Sequence, residues 1–434
     1  MVWPDTTRRN EEGQLIIGDV LLTDLANEYG TPLYIFDEQT LRARAMEMLS
    51  AVREGHNCAT AVFAAKALGL PAILALFHDL GMGIDVVSGG ELFAALSADV
   101  PAAAITFHGN NKDLVEIEYA LEAGVAYVVI DNFDEIRMLG EVTRNRLDRQ
   151  KVLLRLNPGI DVHTHGKIAT GIIDSKFGFP LWTGDALKAA ELICAIPGLE
   201  LSGYHVHLGS QLFDLHAPVL AARMLIEFAE SVRKHLGVSP SVISPGGGMG
   251  IAYDETTQAV DIRDWVRSTV NAISVECQKV GMDMPQVVFE PGRALVGQAG
   301  VGLYRVGSRK EIPGVRIYVS VDGGMADNIR PTLYDATYIA EIANRLGSSC
   351  DMETVTIAGR YCESGDLLIS DIALPRLEFG DLLAVPAVGA YCIPLASNYN
   401  MSPRPAVVMV GSGDCRLIRR RETFKDLLAT TAAL

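Results

Sequence analysis

Lys66 is the residue whose type and surroundings point most directly to chemistry. It is the only charged residue in the apolar stretch ATAVFAAKALGLPAILALF, residues 59–77. Burial disfavours the charged form of an amine, and a neutral lysine is the usual nucleophile of Schiff-base chemistry. The alternative is a lysine whose head reaches solvent past an apolar stem. Because Gly69 and Pro71 also interrupt the stretch, it predicts a buried strand that ends at Lys66 and leads into a helix, not a membrane span.

A glycine run is the second candidate. Ser244-Pro245-Gly246-Gly247-Gly248 follows a predicted strand, and successive glycines let backbone N–H groups converge on a phosphate. The alternative is a tight turn with no ligand. Neither GxxxxGK[ST] nor GxGxxG occurs in the appropriate context, which disfavours nucleotide binding.

Two histidines, His205 and His207, lie two positions apart near the end of another predicted strand. We expect them to point in opposite directions, one into the interior and the other toward the surrounding helices, which disfavours a metal-binding pair. His207 lies nearer the strand end and is followed by Gly209-Ser210, so it is the candidate site residue. A hydrogen-bonded core histidine is the alternative. We predict no metal site.

Glu290-Pro291-Gly292-Arg293 places an acid and a base at the end of the last predicted barrel strand. Glu290 can pair with a cofactor nitrogen, and Arg293 offers a two-pronged donor for phosphate or carboxylate. The two could also pair with each other. Further along, Cys362 lies in a strand–turn context, but most free cysteines are inert core residues, so its type alone assigns it no role.

The elements that would position these residues form a regular series. Eight short apolar, β-branched runs alternate with stretches of helical periodicity such as 114–124 and 217–237. This alternation predicts a parallel sheet, and eight units favour a closed (β/α)8 barrel over a doubly wound open sheet. The runs are AVFAAK (61–66), GIDVVS (83–88), AITFHG (104–109), AYVVIDN (126–132), VLLRLNP (152–158), SGYHVHLG (202–209), VISPGGG (242–248) and VVFEPGR (287–293).

Polar residues concentrate at the carboxyl ends of these predicted strands, which is the face where barrel enzymes build their active sites. They are Lys66, Asp85, His108, Asn132, Asn157, His207, the glycine run and Glu290.

After about residue 295 the pattern changes to short strands with Gly/Pro turns, which predicts a β domain. PLYIFD, within the first forty residues, is a further predicted strand. We therefore expect residues 1–40 to form an N-terminal segment that joins the β domain, residues 41–294 to form the barrel, and residues 295–434 to form the C-terminal β domain.

Composition excludes several classes of function. The formal net charge of −16 disfavours nucleic acid or an anionic membrane as partner. The N-terminus lacks the apolar core of a secretory signal, and we expect a cytoplasmic protein. An odd, scattered set of seven cysteines gives no disulfide framework and fits a reducing compartment. These are Cys58, Cys194, Cys277, Cys350, Cys362, Cys392 and Cys415.

Taken together, the motifs resemble the fold-type III pyridoxal-phosphate enzymes, and among them the diaminopimelate decarboxylases. The matching blocks run in order from about residue 60 to 411. They are FAAKA, GIDVVSGGEL, TFHGNNK, IATGIIDSKFGF, HVHLGSQ, PGGGMG, EPGRALVG, VDGGMADNIRPTLY, CESGDLL and GAYCIPLASNYNMSPRP.

The resemblance implies a barrel that binds pyridoxal 5′-phosphate. Lys66 would hold the cofactor covalently, His207 would stack on the pyridine ring, and an anionic Glu290 would keep the pyridine nitrogen protonated. The other residues implied around phosphate and ring are Ser210, Gly247, Gly248, Gly292 and Arg293.

It further implies decarboxylation of meso-2,6-diaminopimelate at its D-centre to give L-lysine and carbon dioxide. Arg293, Arg330 and Tyr334 would hold substrate carboxylate, and Glu363 the distal ammonium. Cys362 would be the proton donor, and Tyr391 would contact cofactor and substrate. The family also implies a homodimer whose sites are shared, with Cys362 and Glu363 supplied by the partner chain.

The sequence departs from the family pattern at Leu68, where many relatives have asparagine, and at Ile393-Pro394-Leu395.

The alternative functions are a decarboxylase of ornithine or arginine with the same fold, a racemase, and a relative that binds the cofactor or partners without catalysis. A racemase needs a second base, commonly tyrosine, where Cys362 stands. A non-catalytic relative typically loses the lysine or the cysteine, and both are present here.

Overall fold

The computed structural model describes residues 2–55, 59–160, 173–347 and 351–432. Cys58, Cys350 and residues 168–172 of the IATGIIDSKFGF block lie outside these ranges.

Elements are numbered in chain order. The strands are β1 (Arg8–Arg9), β2 (Leu15–Ile17), β3 (Val20–Leu21), β4 (Leu33–Asp37), β5 (Ala59–Ala64), β6 (Gly83–Val86), β7 (Ile105–Phe107), β8 (Tyr127–Ile130), β9 (Gln150–Asn157), β10 (Phe179–Pro180), β11 (Leu199–His205), β12 (Val242–Gly246), β13 (Gln286–Phe289), β14 (Gly300–Ile312), β15 (Arg316–Val321), β16 (Glu341–Ile342), β17 (Met352–Ala358), β18 (Leu367–Pro375), β19 (Leu382–Val385), β20 (Ala406–Gly411) and β21 (Asp414–Arg419). The helices are α1 (Leu22–Tyr29), α2 (Glu38–Gly55), α3 (Pro71–Asp79), α4 (Gly89–Ser97), α5 (Leu114–Ala123), α6 (Phe133–Thr143), α7 (Asp185–Ala195), α8 (His216–Leu236), α9 (Ile262–Val280), α10 (Arg293–Val296), α11 (Arg330–Tyr334) and α12 (Phe424–Leu427).

Eight parallel strands form a closed barrel. Strands β5, β6, β7, β8, β9, β11, β12 and β13 each pair with the next, and β13 pairs with β5. Helices separate most successive strands, as the alternating pattern predicts. The (β/α)8 prediction is therefore confirmed, and the open doubly wound sheet is excluded.

Local sequence explains where the barrel helices begin and end. In α5, the Asp113 side chain accepts a hydrogen bond from the Glu116 N–H at 2.8 Å, and Glu116 reaches back to the Asp113 N–H. This reciprocal capping satisfies two backbone donors that the first turn leaves free. Gly124 ends the helix with a left-handed backbone, φ 81°, which glycine adopts without steric cost.

The barrel interior is filled in layers. Val62, Val129, Leu153, Val242 and Val288, from five different strands, pack together as one buried cluster. Because side chains alternate along a strand, the residues two positions further on face the same interior. For four of these five strands those residues are polar: Asp131, Arg155, Ser244 and Glu290. The apolar layer thus supports a polar layer at the carboxyl ends of the strands.

A second sheet comprises nine strands from the C-terminal part and the N-terminal region. Its main path is β18-β17-β15-β14-β4-β20-β21, with β19 and β16 branching from β14. Strand β4, which contains the predicted PLYIFD strand, pairs antiparallel with β14 and parallel with β20. Strands β1 to β3 form a separate small sheet.

The chain divides into two compact units. The β unit comprises residues 1–44, 251–259 and 295–434, and the barrel unit residues 45–250 and 260–294. The boundaries at residues 40 and 294 stay a prediction, and no sequence feature had singled out 251–259. Among the described residues, no helix has both the length and the apolar character needed to span a bilayer.

Candidate active site

Lys66 lies in a single 3₁₀ turn, Ala65–Ala67, directly after β5. Ala65 and Ala67 are buried, whereas Lys66 is half-buried. The Lys66 charge acts on Asp85 and His207, so its amine lies near both residues. Leu68, which departs from the family pattern, is fully buried. An apolar side chain at that position therefore packs into the barrel unit and leaves Lys66 as the reactive group of the turn.

Glu290 is an acid of the polar layer with a hydrogen-bond partner at each carboxylate oxygen. It follows β13 and is buried, 7% exposed. Its Oε2 lies 3.0 Å from His205 Nε2, and its Oε1 accepts a hydrogen bond from Ser244 Oγ at 2.6 Å. Each carboxylate oxygen thus has its own donor, from two neighbouring strands.

Asp85 and His108 complete this cluster. His108 Nε2 lies 3.5 Å from Glu290 Oε1 and 3.6 Å from Asp85 Oδ1. The His108 and His205 rings meet edge to face, with centroids 4.8 Å apart. Three buried atoms of the cluster lack a hydrogen-bond partner within the described chain: Asp85 Oδ1, His108 Nε2 and His205 Nδ1.

The two acids of the cluster differ in protonation. Burial and the neighbouring Glu290 charge raise the pKa of Asp85 well above its ordinary value. For Glu290, burial acts in the same direction, but His205, His108 and the hydrogen bonds from His205 and Ser244 outweigh it and lower its pKa. Burial also lowers the pKa of His108 well below its ordinary value. These shifts favour the charge on Glu290 and the proton on Asp85, and they favour a neutral His108.

His207 lies just beyond β11 and is half-buried. The Gly247 N–H points at His207 Nδ1 over 3.4 Å. Burial and then the Lys66 charge lower the pKa of His207 well below its ordinary value, so the ring is neutral and Nδ1 can accept. A flat neutral ring at this position suits stacking on another aromatic ring.

The predicted opposite orientation of His205 and His207 is wrong. Residues two apart on a strand share a face, and the strand ends at His205. His205 points into the barrel interior, where it contacts Glu290, rather than toward the helices. His108, His205 and Glu290 also have the donor types of a metal site, with ligand atoms within 4.8 Å of one another, but the hydrogen bonds within the cluster already account for the placement of His205 and Glu290.

The glycine run adopts a conformation that other residues could not. A Cβ on Gly247 would lie 2.1 Å from the Glu290 carbonyl oxygen, and Gly246 and Gly248 have φ of 74° and 105°. Glycine is therefore required for the backbone to approach the segment at Glu290 so closely. Within the chain the Gly246 N–H donates to Ser244 Oγ at 3.2 Å and the Gly247 N–H points at His207 Nδ1. A glycine-rich turn of this kind, with successive N–H groups close together, is where proteins often bind an anion.

Arg293 and Ser210 meet beside this run. Arg293 donates to Ser210 Oγ from Nε at 3.1 Å and from Nη2 at 2.9 Å. A Cβ on Gly292 would lie 3.1 Å from the Ala67 Cβ, so the absence of a side chain lets residues 290–293 pack against the Lys66 turn. The barrel unit thus brings together all eight of the site residues predicted within it: Lys66, His207, Ser210, Gly247, Gly248, Glu290, Gly292 and Arg293.

The β unit carries the other five predicted residues. Arg330 is buried, 4% exposed, and its Nη1 donates to the Tyr338 hydroxyl. Its guanidinium lies over the Tyr253 ring at 4.8 Å and the Tyr338 ring at 5.6 Å. Among the described residues, its Nε has no hydrogen-bond partner and no carboxylate pairs with its guanidinium. A buried cation without a counter-ion is costly, so this arginine is prepared for an anionic ligand.

Cys362 and Glu363 lie in an exposed turn after β17. The Cys362 N–H donates to Asn400 Oδ1 at 2.9 Å, and the Tyr399 hydroxyl lies 3.4 Å from both the Cys362 carbonyl oxygen and Glu363 Oε2. These bonds orient the turn while both side chains stay exposed. Both are thus accessible to a ligand or a second chain.

Tyr334 and Tyr391 are both half-buried. Tyr334 ends α11, which also carries Arg330. Tyr391 has φ 63°, a left-handed backbone that is strained for a tyrosine. A Cβ on Gly389 would lie 1.8 Å from the Val296 carbonyl oxygen. Close backbone packing therefore holds the turn that presents Tyr391.

Sequence reasoning missed several partners of these residues. His205 and Ser244 bond Glu290, and Tyr253 and Tyr338 contact Arg330, but neither pair received a role. For Ser244 a signal was available, because it is the only polar residue of the strand Val242–Gly246. For His205 the signal is weaker, because its strand also carries Glu200 and Ser202. For Tyr253 and Tyr338 we find no such signal.

A family model describes much of the chain. Residues 39–297 match the pyridoxal-binding domain of pyridoxal-dependent decarboxylases. This range includes every site residue predicted in the barrel unit.

Curated relatives match over nearly the full length. The diaminopimelate decarboxylase of Bacillus subtilis is 45% identical over 423 residues, covering 98% of this chain and 96% of that protein. That of Mycobacterium tuberculosis is 40% identical over 437 residues, covering 99% and 97%. Among solved structures, diaminopimelate decarboxylase from M. jannaschii in complex with L-lysine superposes with a TM-score of 0.93 at 33% identity, covering 100% of this chain and 99% of that one.

Proposed function

The chain belongs to the diaminopimelate decarboxylase family of pyridoxal-dependent decarboxylases, and we propose that it decarboxylates meso-2,6-diaminopimelate at the D-centre. The products are L-lysine and carbon dioxide. The observation that carries this function is the 45% identity to a curated diaminopimelate decarboxylase over 98% of the chain.

The barrel unit has the features that pyridoxal 5′-phosphate requires. The glycine run, where a Cβ would not fit, together with Ser210 and Arg293, suits the phosphate. Glu290, anionic and buried, suits the protonated pyridine nitrogen, and neutral His207 suits the ring face. Lys66 would hold the cofactor covalently. When bound, the cofactor provides an electron sink for the pair left on Cα as carbon dioxide departs.

The residues in the β unit would bind the amino acid. Arg330 would bind a substrate carboxylate, because its buried guanidinium lacks a carboxylate partner among the described residues. Tyr334 of the same unit and Arg293 of the barrel unit would assist it. Glu363 would bind the distal ammonium, and Tyr391 would contact both cofactor and substrate. Binding of both an ammonium and a carboxylate at the far end of the substrate would distinguish diaminopimelate from ornithine and arginine, because the far ends of those two amino acids carry only a cation.

The Arg330 role predicts a selective loss of affinity. Arg330→Gln should weaken binding of L-lysine about tenfold or more, because a charge-assisted pair to its carboxylate is lost. Cadaverine lacks that carboxylate, so its affinity should change little. Calorimetric titration of both ligands measures the difference, and Arg305→Gln, a change in the same unit that leaves Arg330 intact, is the control. Equal weakening for both ligands would remove Arg330 from carboxylate binding.

The exposed turn at Cys362 and Glu363 fits a site completed by a second chain. We propose a homodimer in which Cys362 and Glu363 of one chain complete the barrel site of the other. Cys362 would then deliver the proton to Cα after carbon dioxide leaves.

The function is tested by carbon dioxide release from meso-diaminopimelate, ornithine, arginine and lysine, each with pyridoxal phosphate added. We expect release from meso-diaminopimelate alone, with L-lysine as product. Release from ornithine or arginine instead would retain the fold and Lys66 but overturn the assignment of Arg330 and Glu363 to the distal end. Absence of release from all four would favour a non-catalytic cofactor-binding protein.

A further inference from the structure

We propose that His205 and Ser244 are positioning residues that hold the Glu290 carboxylate in one orientation and in its anionic form. This inference rests on the proposed function, in which Glu290 faces the pyridine nitrogen of the cofactor. It assigns both residues a role in setting the charge of the cofactor ring, although neither is proposed to touch the substrate.

The geometry immobilises the carboxylate at both oxygens. Ser244 Oγ lies 2.6 Å from Oε1, and His205 Nε2 lies 3.0 Å from Oε2. The donors come from β12 and β11, neighbouring strands of the closed barrel, while Glu290 follows β13. Two bonds from rigid strands fix the plane of the carboxylate, and its remaining lone pairs stay available for a further donor.

The hydrogen bonding of His205 supports a role toward Glu290 rather than a general structural one. Its Nδ1 is buried and has no hydrogen-bond partner in the described chain, so the only hydrogen bond of the ring there goes to Glu290. A carboxylate accepts only from a donor, which places a proton on Nε2. A histidine that merely filled the core would ordinarily have both nitrogens satisfied.

The donors also decide which of two acids carries the proton. Asp85 and Glu290 both lie close to His108 Nε2, at 3.6 and 3.5 Å. Two buried carboxylates so placed do not both ionise readily. Only Glu290 has a hydroxyl and an imidazole donating to it, so the charge stays on Glu290 and the proton on Asp85. Removing either the Ser244 hydroxyl or the His205 imidazole would therefore make it less favourable for Glu290, rather than Asp85, to carry the charge.

The test compares two ligands that differ at one ring position. Apoprotein is titrated with pyridoxal phosphate and with its analogue in which the ring nitrogen is replaced by CH. A Glu290 carboxylate that is anionic and correctly oriented should favour pyridoxal phosphate over the analogue, because only pyridoxal phosphate has a ring N–H to donate. We expect His205→Leu and Ser244→Ala to reduce this preference about tenfold, the range of one hydrogen bond to a charged group, and His205→Gln, which retains an amide donor, to restore part of it.

A matched control separates this effect from packing. Ser202→Ala removes a buried hydroxyl from β11 that bonds to Glu200 and not to Glu290, so its preference should equal that of the wild type. If His205→Leu and Ser244→Ala weaken both ligands equally, the positioning role is overturned. If the wild-type apoprotein binds pyridoxal phosphate and the analogue equally well, the proposed pairing of Glu290 with the ring nitrogen is itself contradicted, and with it the positioning role. Should His205→Leu not fold, Ser244→Ala and His205→Gln still test the proposal.

Discussion

Cys362 and Lys66 are the two residues with the most direct proposed chemistry, and their surroundings differ. Lys66 is held in a tight turn between buried alanines, whereas Cys362 lies in an exposed turn that bonds to Tyr399 and Asn400 through the Cys362 backbone and the Glu363 side chain. An anchored backbone with a free side chain suits a group that must meet a ligand held elsewhere. Substitution of Cys362 should therefore affect chemistry without affecting the fold.

At the residue scale, Cys362→Ala should leave the visible absorbance of the bound cofactor unchanged while turnover falls by a factor of about 10² to 10⁴, the usual contribution of a positioned acid. Carbon dioxide release under saturating substrate measures the loss. Cys194→Ala, which changes another exposed cysteine on α7, serves as the control and should keep full turnover. Near-normal turnover in Cys362→Ala would mean that another group protonates Cα.

Asp327 is a second residue with an unusual environment. It is buried, 1% exposed; its Oδ1 accepts from the Gly324 N–H and its Oδ2 from the Tyr304 hydroxyl, both at 2.8 Å. Burial raises its pKa to about 7, although these hydrogen bonds oppose the shift. The folded chain therefore holds this proton more tightly than the unfolded chain does.

The sign of the pH dependence follows from this raised pKa. Stability from the protonated Asp327 is fully present below the unfolded pKa near 4 and is lost as pH rises to about 7. The free energy of unfolding of wild type minus that of Asp327→Asn should therefore fall by on the order of 4 kcal/mol between pH 4 and 7.5. Urea unfolding at several pH values measures it, and a difference that is flat or rising with pH would contradict the assignment.

At the scale of elements, a buried ion pair ties the segment after β7 to the start of α6. Lys112 Nζ lies 3.0 Å from Glu135 Oε2 and donates to the Val129 carbonyl oxygen at 2.8 Å. Glu135 also accepts from the Asp131 N–H at 2.9 Å. The pair thus joins the segment after β7, strand β8 and the start of α6.

Lys112→Ala should destabilise the protein by about 3–5 kcal/mol, because it leaves the buried Glu135 carboxylate without a counter-ion. The urea unfolding transition followed by far-UV ellipticity measures the change. On α6, the helix that carries Glu135, Arg137→Ala removes an exposed ion pair with Glu141. This substitution should lower the stability by less than about 1 kcal/mol. Comparable losses of stability in the two variants would show that the buried ion pair contributes no more to stability than the exposed one.

At the scale of the whole molecule, the predicted site residues are divided between two compact units of one chain and, by the proposal, between two chains. The barrel unit carries Lys66 and the residues proposed to bind the cofactor phosphate, and the β unit carries Cys362 and Glu363. A site assembled this way would be incomplete in an isolated chain, so activity should depend on dimer formation.

Mixing two inactive variants tests the shared site. Lys66→Ala and Cys362→Ala should each be inactive or nearly so alone. After random subunit exchange, half of the dimers are mixed, and each mixed dimer has one intact site, so roughly a quarter of wild-type activity should return. Sedimentation confirms that dimers formed. No recovery from mixed dimers would mean that both residues act within one chain.

The sequence by itself was sufficient to predict the barrel. Strand β5 (Ala59–Ala64) overlaps the predicted run AVFAAK (61–66), and α5 begins at Leu114, where the predicted helical stretch 114–124 begins. These features are local: apolar periodicity, capping residues and glycine turns act over a few neighbouring positions. The chain positions of the predicted site residues could likewise be listed from motifs, because motifs are contiguous.

Only the tertiary structure decided which residues act on one another. Ser244 and His205 lie 46 and 85 residues from Glu290 along the chain, and Tyr253 is as remote from Arg330. Such contacts depend on barrel closure, on register and on which side chains share the interior, and none of these is encoded in a short segment. The wrong orientation of His205 has a local cause, since residues two apart on a strand share a face. By contrast, the placement of Asp85 beside His108 and Glu290 depends on barrel closure, so the competition of the two acids for one proton could not be predicted from the sequence.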